Sequence, residues 1–237
     1  MKLSIIIPVY NEEKRLPTAI EPVLQYVKNK KLKNEIIIVA DKSEDKTLEV
    51  AKNYSEKHQN IQYIYNQKKS GKGYAVRKGV LASKGSLVLM ADSDTSTPIT
   101  ELNKFLERID KYDIVIGSRA HKEANIKKKL MSRVILGKLG NILLHIFLIK
   151  KIKDTQCGFK LFKGNIAREL FSMSRINGFG FDFEILFLAQ QKKYKILEFP
   201  ITWSHCEDTK VTWQSHFKTL SELFEIRLNY ICGKYKV

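Results

Sequence analysis

Hydrophobic residues gather in short, nearly uninterrupted runs through the first half of the chain: LSIIIPVY at 3–10, EIIIVA at 35–40, IQYIY at 61–65, SLVLMA at 86–91 and DIVIGS at 113–118. The runs are rich in Ile and Val and of strand length, the pattern of strands covered on both faces. The stretches between them are polar, with helical spacing. Leu48, Ala51 and Tyr54 follow Ser43–Glu44–Asp45, which resembles a helix N-cap, and Ala75, Val76, Gly79 and Val80 follow Gly71 and Gly73. Repeated strand–helix alternation predicts an α/β fold: an open, mostly parallel sheet with helices on both faces. Ligands of such sheets bind beyond the carboxyl ends of the strands, which makes the polar residues after each strand the functional candidates.

The second half has a different rhythm. Residues 130–149, LMSRVILGKLGNILLHIFLI, put Ile135, Leu139, Ile142, Leu143 and Ile146 on one helical stripe, with Arg133, Lys138, Asn141 and His145 on the other side. An apolar face beside a cationic one fits an amphipathic helix lying in a membrane interface; an ordinary core helix is the alternative. A second amphipathic helix is predicted over 217–231, through Phe217, Leu220, Phe224, Leu228 and Ile231. That face could pack on the core, form a dimer or touch lipid. Neither repeats nor low-complexity linkers interrupt the 237 residues.

Charge sharpens the picture. Lys and Arg total 42 against 25 Asp and Glu, a formal charge of +17, so the chain seeks anions: nucleic acid, anionic lipid or phosphorylated substrates. Ten of the cations fall between Arg119 and Lys153, opposed only by Glu123, in the same stretch as the longest apolar segment. That coincidence, without an RNP-type or helix-turn-helix signature, favours a membrane surface and leaves a basic nucleic-acid-binding protein as the remote alternative. No run reaches about 18 uncharged apolar residues, as a spanning helix needs, and the opening run breaks at Pro8, as a strand rather than a signal peptide would. Cys157, Cys206 and Cys232 are too scattered for a disulfide framework or a CxxC site, which fits a reducing compartment.

Three strand ends carry chemistry: Pro8-Val9-Tyr10-Asn11-Glu12 after the first, Asp41 after the second, and Asp92-Ser93-Asp94 after the fourth. An aromatic can stack on a base while carboxylates accept hydrogen bonds from ribose hydroxyls or base N–H groups; solvated loop acids are the plain alternative. Asp92 and Asp94, flanking one residue, suit a hard divalent ion that bridges a diphosphate. Ser70-Gly71-Lys72-Gly73 could cradle phosphate at a helix start, though it matches neither the Walker pattern nor GxGxxG. HExxH and GxSxG are absent, the five histidines show no ligand spacing, and Cys157 reads as a small buried residue rather than a nucleophile.

Taken together, PVYNE at 8–12, Asp41, GKGYAVRKG at 71–79, DSD at 92–94 and GSRAH at 117–121 resemble the family-two glycosyltransferases, which have the nucleotide-sugar-binding GT-A fold. DTQCGFKLF at 154–162, FDFEILFLA at 181–189 and ITWSH at 201–205 are similar to the dolichyl-phosphate glucose synthases of that family; the mannose synthases share the first half. The resemblance implies one GT-A domain over 1–237, with a nucleotide-sugar half (1–118) and an acceptor and membrane-facing half (119–237). It implies inverting transfer of a hexose to dolichyl or polyprenyl phosphate on the cytoplasmic side of a membrane. The donor would be UDP-glucose or, alternatively, GDP-mannose.

Carried over by position, Pro8, Tyr10, Glu12 and Asp41 would hold the nucleoside, with Lys72 on the donor side and Asp92 near ribose, sugar or metal. Asp94 would bind Mg²⁺ or Mn²⁺, and Ser96 stands where the mannose enzymes often carry a glutamine metal ligand. Arg119 and Arg133 would grip phosphates; Asp154, Lys160 and Lys210 would line the acceptor side. Asp92, Asp94 and Arg119 are the catalytic candidates, while Asp182 and Glu184 would position sugar hydroxyls or serve as helix-cap acids. The glucose synthases usually carry a hydrophobic N-terminal anchor and this chain starts at its first strand, so attachment is expected to be peripheral.

Overall fold

The computed structural model describes residues 2–126, 148–205 and 213–235. In chain order the elements are β1 (Lys2–Val9), α1 (Arg15–Asn29), β2 (Lys33–Asp41), α2 (Thr47–Lys57), β3 (Ile61–Asn66), α3 (Lys72–Ala82), β4 (Leu87–Met90), α4 (Leu102–Leu106) and β5 (Ile114–Ser118). There follow β6 (Asn125–Ile126), β7 (Lys160–Lys163), α5 (Gly164–Met173), α6 (Phe181–Gln191), β8 (Ile196–Pro200), β9 (Thr202–Trp203) and α7 (Trp213–Ile231). The five apolar runs of the first half form the first five strands, each within two residues of its expected ends. The N-cap of α2 is Lys46 rather than one of the acidic residues before it, and Asp45 instead makes a local turn, its Oδ1 accepting the Thr47 N–H at 3.0 Å.

Among the described residues seven strands form one sheet in the order β3-β2-β1-β4-β7-β5-β8. All neighbours are parallel except β7, which runs antiparallel to both β4 and β5. From β1 the chain steps outward to β2 and β3, then returns to place β4 on the other side of β1. The order therefore reverses between β1 and β4, and a crevice opens there at the carboxyl ends of the strands. Because β7 is antiparallel, its first residue Lys160 pairs with Met90 and Ile116 at that same edge. The preceding loop, 154–159, is thereby delivered into the crevice.

Alternate strand residues feed two cores, since successive side chains point to opposite faces. Ile5 and Ile7 join α1, α2 and α4 on one face; Ile6 joins α3, α5, α6 and α7 on the other. Residues Phe181 to Ala189 of α6 are all buried, as an apolar sequence without a polar stripe requires. The last helix differs from expectation. It starts at Trp213, and the residues that enter the core are Leu223 and Ile226, while Phe224, Leu228 and Ile231 of the expected stripe are exposed. Among the described residues no helix is long and apolar enough to cross a membrane. The helix expected over 130–149 lies outside the described residues as far as 147, as do Arg133 and Lys210.

Candidate active site

Asp92 and Asp94 leave the end of β4 at the mouth of the crevice. Lys72, second in its glycine-flanked turn at the start of α3, reaches across to Asp92 with Nζ 2.7 Å from Oδ1. Burial works against the Lys72 charge, but Asp92, Asp182 and Asp94 outweigh it and raise its pKa. The Asp94 pKa is also raised, first by burial and then by the neighbouring Asp92 charge. Its Oδ1 accepts the Ser96 N–H at 2.9 Å. Between them Thr95 has φ of 55°, a left-handed conformation unfavourable for a β-branched residue, so the turn that presents Asp94 holds backbone strain.

The end of β5 supplies the second wall. Arg119 grips Asp154 with two guanidinium N–H groups at 2.7 Å each, and its backbone N–H adds a third bond to Asp154. Burial favours a neutral Asp154, but the Arg119 contacts prevail and hold it below the usual carboxylate range. Glu198 on β8 ties the pair down, accepting from the Asp154 N–H at 2.8 Å and the Ser118 hydroxyl at 2.6 Å. The Arg119 guanidinium also lies 5.6 Å from the Trp203 ring, within cation–π range. Asp154 thus meets Arg119 rather than standing alone as an acceptor contact.

Lys160 lies in the floor. It is 1 % exposed, and its ammonium donates to Asp182 and, at 2.6 Å, to the Cys157 carbonyl. A group so enclosed cannot touch a lipid phosphate; it can set the charge beneath the site. Asp182 is paired there, and Glu184, fully buried, accepts the Arg175 and Ile176 N–H groups and the Tyr235 hydroxyl. Neither carboxylate of FDFE is offered to a sugar. Burial and the Asp154 charge push the Cys157 thiol up to about 12, which agrees with a structural cysteine.

On the other side of β1 lies the candidate nucleoside region. Pro8 is half-buried in β1, and the Tyr10 hydroxyl at the rim accepts from the Lys69 ammonium at 2.9 Å. Glu12 is buried and paired bidentately with Arg15 at 2.5 and 2.7 Å, which fixes the turn from β1 into α1. The Asp41 carboxylate accepts the Ser70 and Gly71 N–H groups at 3.0 and 2.8 Å and the Asn66 amide at 2.6 Å. It therefore anchors the turn that carries Lys72. The Asn66 amide oxygen is buried and, among the described residues, has no hydrogen-bond partner.

The residues around Asp94 fit a hard divalent cation. Two carboxylates share a small space, one with its pKa raised by burial and by the other, and a cation would relieve that repulsion. The Ser96 hydroxyl oxygen is buried beside Asp94, a further hard donor. An all-oxygen set suits Mg²⁺ or Mn²⁺. Among the described residues no group of three or more His, Cys, Asp and Glu side chains forms around them, so any metal here relies on substrate oxygens or water.

The sequence does not reveal the partners of these candidate residues. The Asp92–Lys72 and Arg119–Asp154 pairs, the Glu198 brace and the Trp203 ring join segments far apart in sequence. Trp203 and Glu198 belong to strands of two and five residues whose pairing supplied no local signal.

Residues 4–171 match the model of Glycosyl transferase family 2. The chain is 36% identical to the dolichyl-phosphate beta-glucosyltransferase ALG5C of Trichomonas vaginalis, covering 99% of this chain and 73% of that protein. It is 34% identical to the human dolichyl-phosphate beta-glucosyltransferase, covering 100% and 78%. Among solved structures, glucosyl-3-phosphoglycerate synthase of Mycobacterium tuberculosis with Mn²⁺, UDP-glucose and phosphoglyceric acid aligns with TM-score 0.71 at 14% identity, over 98% of this chain and 80% of that one. Mannosyl-3-phosphoglycerate synthase of Rubrobacter xylanophilus aligns with TM-score 0.72 at 15% identity, over 100% and 76%. These structures share the GT-A fold. With its reversed sheet order, its paired carboxylates after β4 and full-length similarity to curated transferases, the chain belongs to glycosyl transferase family 2 and is an enzyme of the dolichyl-phosphate beta-glucosyltransferase type.

Proposed function

We propose that this enzyme transfers glucose, with inversion, from UDP-glucose to dolichyl phosphate, working peripherally at the cytoplasmic face of a membrane. The observation that carries the reading is its similarity, along nearly the whole chain, to proteins named dolichyl-phosphate beta-glucosyltransferases. Charge supports it. A phosphate monoester has its second pKa near 6, so the acceptor is mostly dianionic at about pH 7 and is already a nucleophile. Such an acceptor needs no strong general base. Accordingly, the buried Asp182 is engaged by Lys160 instead of facing an acceptor.

The remaining tasks are to bring two phosphates together and to stabilise the leaving group. Arg119, its guanidinium fixed by Asp154 and about one-third exposed, supplies an oriented positive charge for the acceptor phosphate. Lys72 holds Asp92 in place on the donor side through their contact at 2.7 Å. Asp94 with Ser96 would hold Mg²⁺ or Mn²⁺, whose chemistry there is to neutralise the departing diphosphate. Tyr10, at the rim, offers a ring to the base. The apolar and cationic segment over 130–149 provides for attachment to an anionic lipid surface.

Calorimetric titration of the chain with UDP-glucose and with GDP-mannose, each in Mn²⁺, tests the donor. UDP-glucose should bind the more tightly. Preference for GDP-mannose would transfer the assignment to the mannose synthases.

A further inference from the structure

Lys72 is held in place by residues far along the chain. Its two flanking glycines lie flat on the loop from Ser174 to Gly180. A Cβ on Gly71 would come 2.5 Å from the Asn177 carbonyl oxygen, and one on Gly73 would come 2.7 Å from that of Ile176. The Tyr74 N–H donates to the Asn177 carbonyl at 3.2 Å, and Arg77 grips the same loop at Ser174 and Asn177. The turn carrying Lys72 therefore takes its height from this loop.

The loop is in turn strapped by two buried carboxylates. Glu184 accepts the Arg175 and Ile176 N–H groups at 2.8 and 3.0 Å, and its Oε1 receives the Tyr235 hydroxyl at 2.6 Å. Glu222 of α7, 5 % exposed, accepts the Gly180 N–H at 2.7 Å, and a Cβ on Gly178 would overlap its carboxylate. Tyr235 reaches Glu184 because the chain reverses after α7. Gly233 has φ of 65°, the Lys234 N–H returns to the Asn229 carbonyl and the Gly233 N–H to that of Tyr230. That is a Schellman turn, and it drives the next side chain back into the core. Arg175 closes the ring by donating to the Lys234 carbonyl at 2.9 and 3.1 Å.

We propose that Glu222 and Tyr235 are positioning residues of the active site, a latch that sets the loop 174–180 and through it the Lys72–Asp92 contact. The proposal rests on Lys72 being a donor-site cation. Glu222 acts through its hydrogen bond to the loop at Gly180, and Tyr235 acts through Glu184, which accepts the loop's Arg175 and Ile176 N–H groups. Loosening the loop shifts Lys72 away from Asp92, and misplacement of about 1 Å can cost as much as ~100-fold in catalysis.

Hydrogen exchange and steady-state kinetics on the full chain test it together. Tyr235→Phe keeps the ring and loses only the hydroxyl; Glu222→Gln keeps an oxygen for the Gly180 N–H, whereas Glu222→Ala removes it. Tyr235→Phe and Glu222→Ala should speed amide exchange over 70–76 and 174–180 while leaving α1 unchanged. Both should raise the KM for UDP-glucose roughly tenfold, with the KM for dolichyl phosphate unmoved and Glu222→Gln near wild type. In a Lys72→Met background, Glu222→Ala should add nothing further. Unchanged exchange over 70–76, or a full additional loss on top of Lys72→Met, overturns the latch. Should the wild-type chain not use UDP-glucose, the donor reading falls, and the exchange at 70–76 alone still upholds or overturns the latch.

Discussion

Gly158 lies flat against the carboxylate of Asp92: a Cβ at that position would come 2.7 Å from Oδ1 and closer still to Oδ2. The glycine has an ordinary backbone conformation among the described residues, so its requirement is for space and not for φ. Gly158→Ala should push Asp92 off Lys72 and lower kcat/KM by about 100-fold, by the same sensitivity to small displacements. Circular dichroism and the melting temperature should stay near wild type. Full activity in Gly158→Ala would mean that Asp92 has freedom to move without loss.

The Arg119–Asp154 pair has a signature in acid. The folded Asp154 pKa lies below its unfolded value of about 3.9, so the stability it contributes is fully present above that value and is lost as pH falls through the folded pKa. The stability gap between wild type and Asp154→Asn should therefore be constant from about pH 7 to pH 5 and close on further acidification. Urea midpoints at a series of pH values measure it. A gap that widens in acid would contradict the pairing.

Lys160 and Asp182 form an enclosed ion pair with side chains 1 % and 4 % exposed. Removing one partner leaves a buried charge, and Lys160→Met should cost about 3–5 kcal/mol in urea unfolding. Joint replacement, Lys160→Met with Asp182→Leu, should recover much of the loss because no unpaired charge remains. If the double variant were less stable than Lys160→Met alone, the pair would not be the source of the cost.

Asp94→Ala should abolish glucosyl transfer in a folded protein and remove any dependence of donor binding on Mn²⁺. Calorimetry with and without chelator reports the second effect. Transfer near wild type in this variant would rule out Asp94 as the cation's carboxylate.

The strands of the first half are legible in the sequence because each is a continuous apolar run, and a shared carboxyl edge follows from their alternation with helices, which puts Asp41, Asp92 and Asp94 along one edge of the sheet. β7 is not legible. Its four residues carry Lys at both ends, and only the sheet reveals that it is an antiparallel insertion delivering Gly158 to Asp92. Lys160 misleads for a related reason: lysine is almost never fully buried unless paired, and its partner Asp182 lies on a distant helix. The last helix shows a limit of periodicity. Its sequence holds two overlapping apolar stripes, and packing against α6 selects the one containing Leu223 and Ile226.

The most direct test of the central claim is phase partition. The purified chain is incubated with Mg²⁺, dolichyl phosphate and either radiolabelled UDP-glucose or radiolabelled GDP-mannose, and label is counted in the organic phase. Label carried from UDP-glucose, and lost with Asp94→Ala, is the predicted result. No label from UDP-glucose, in a folded sample that still binds UDP, would contradict the assignment.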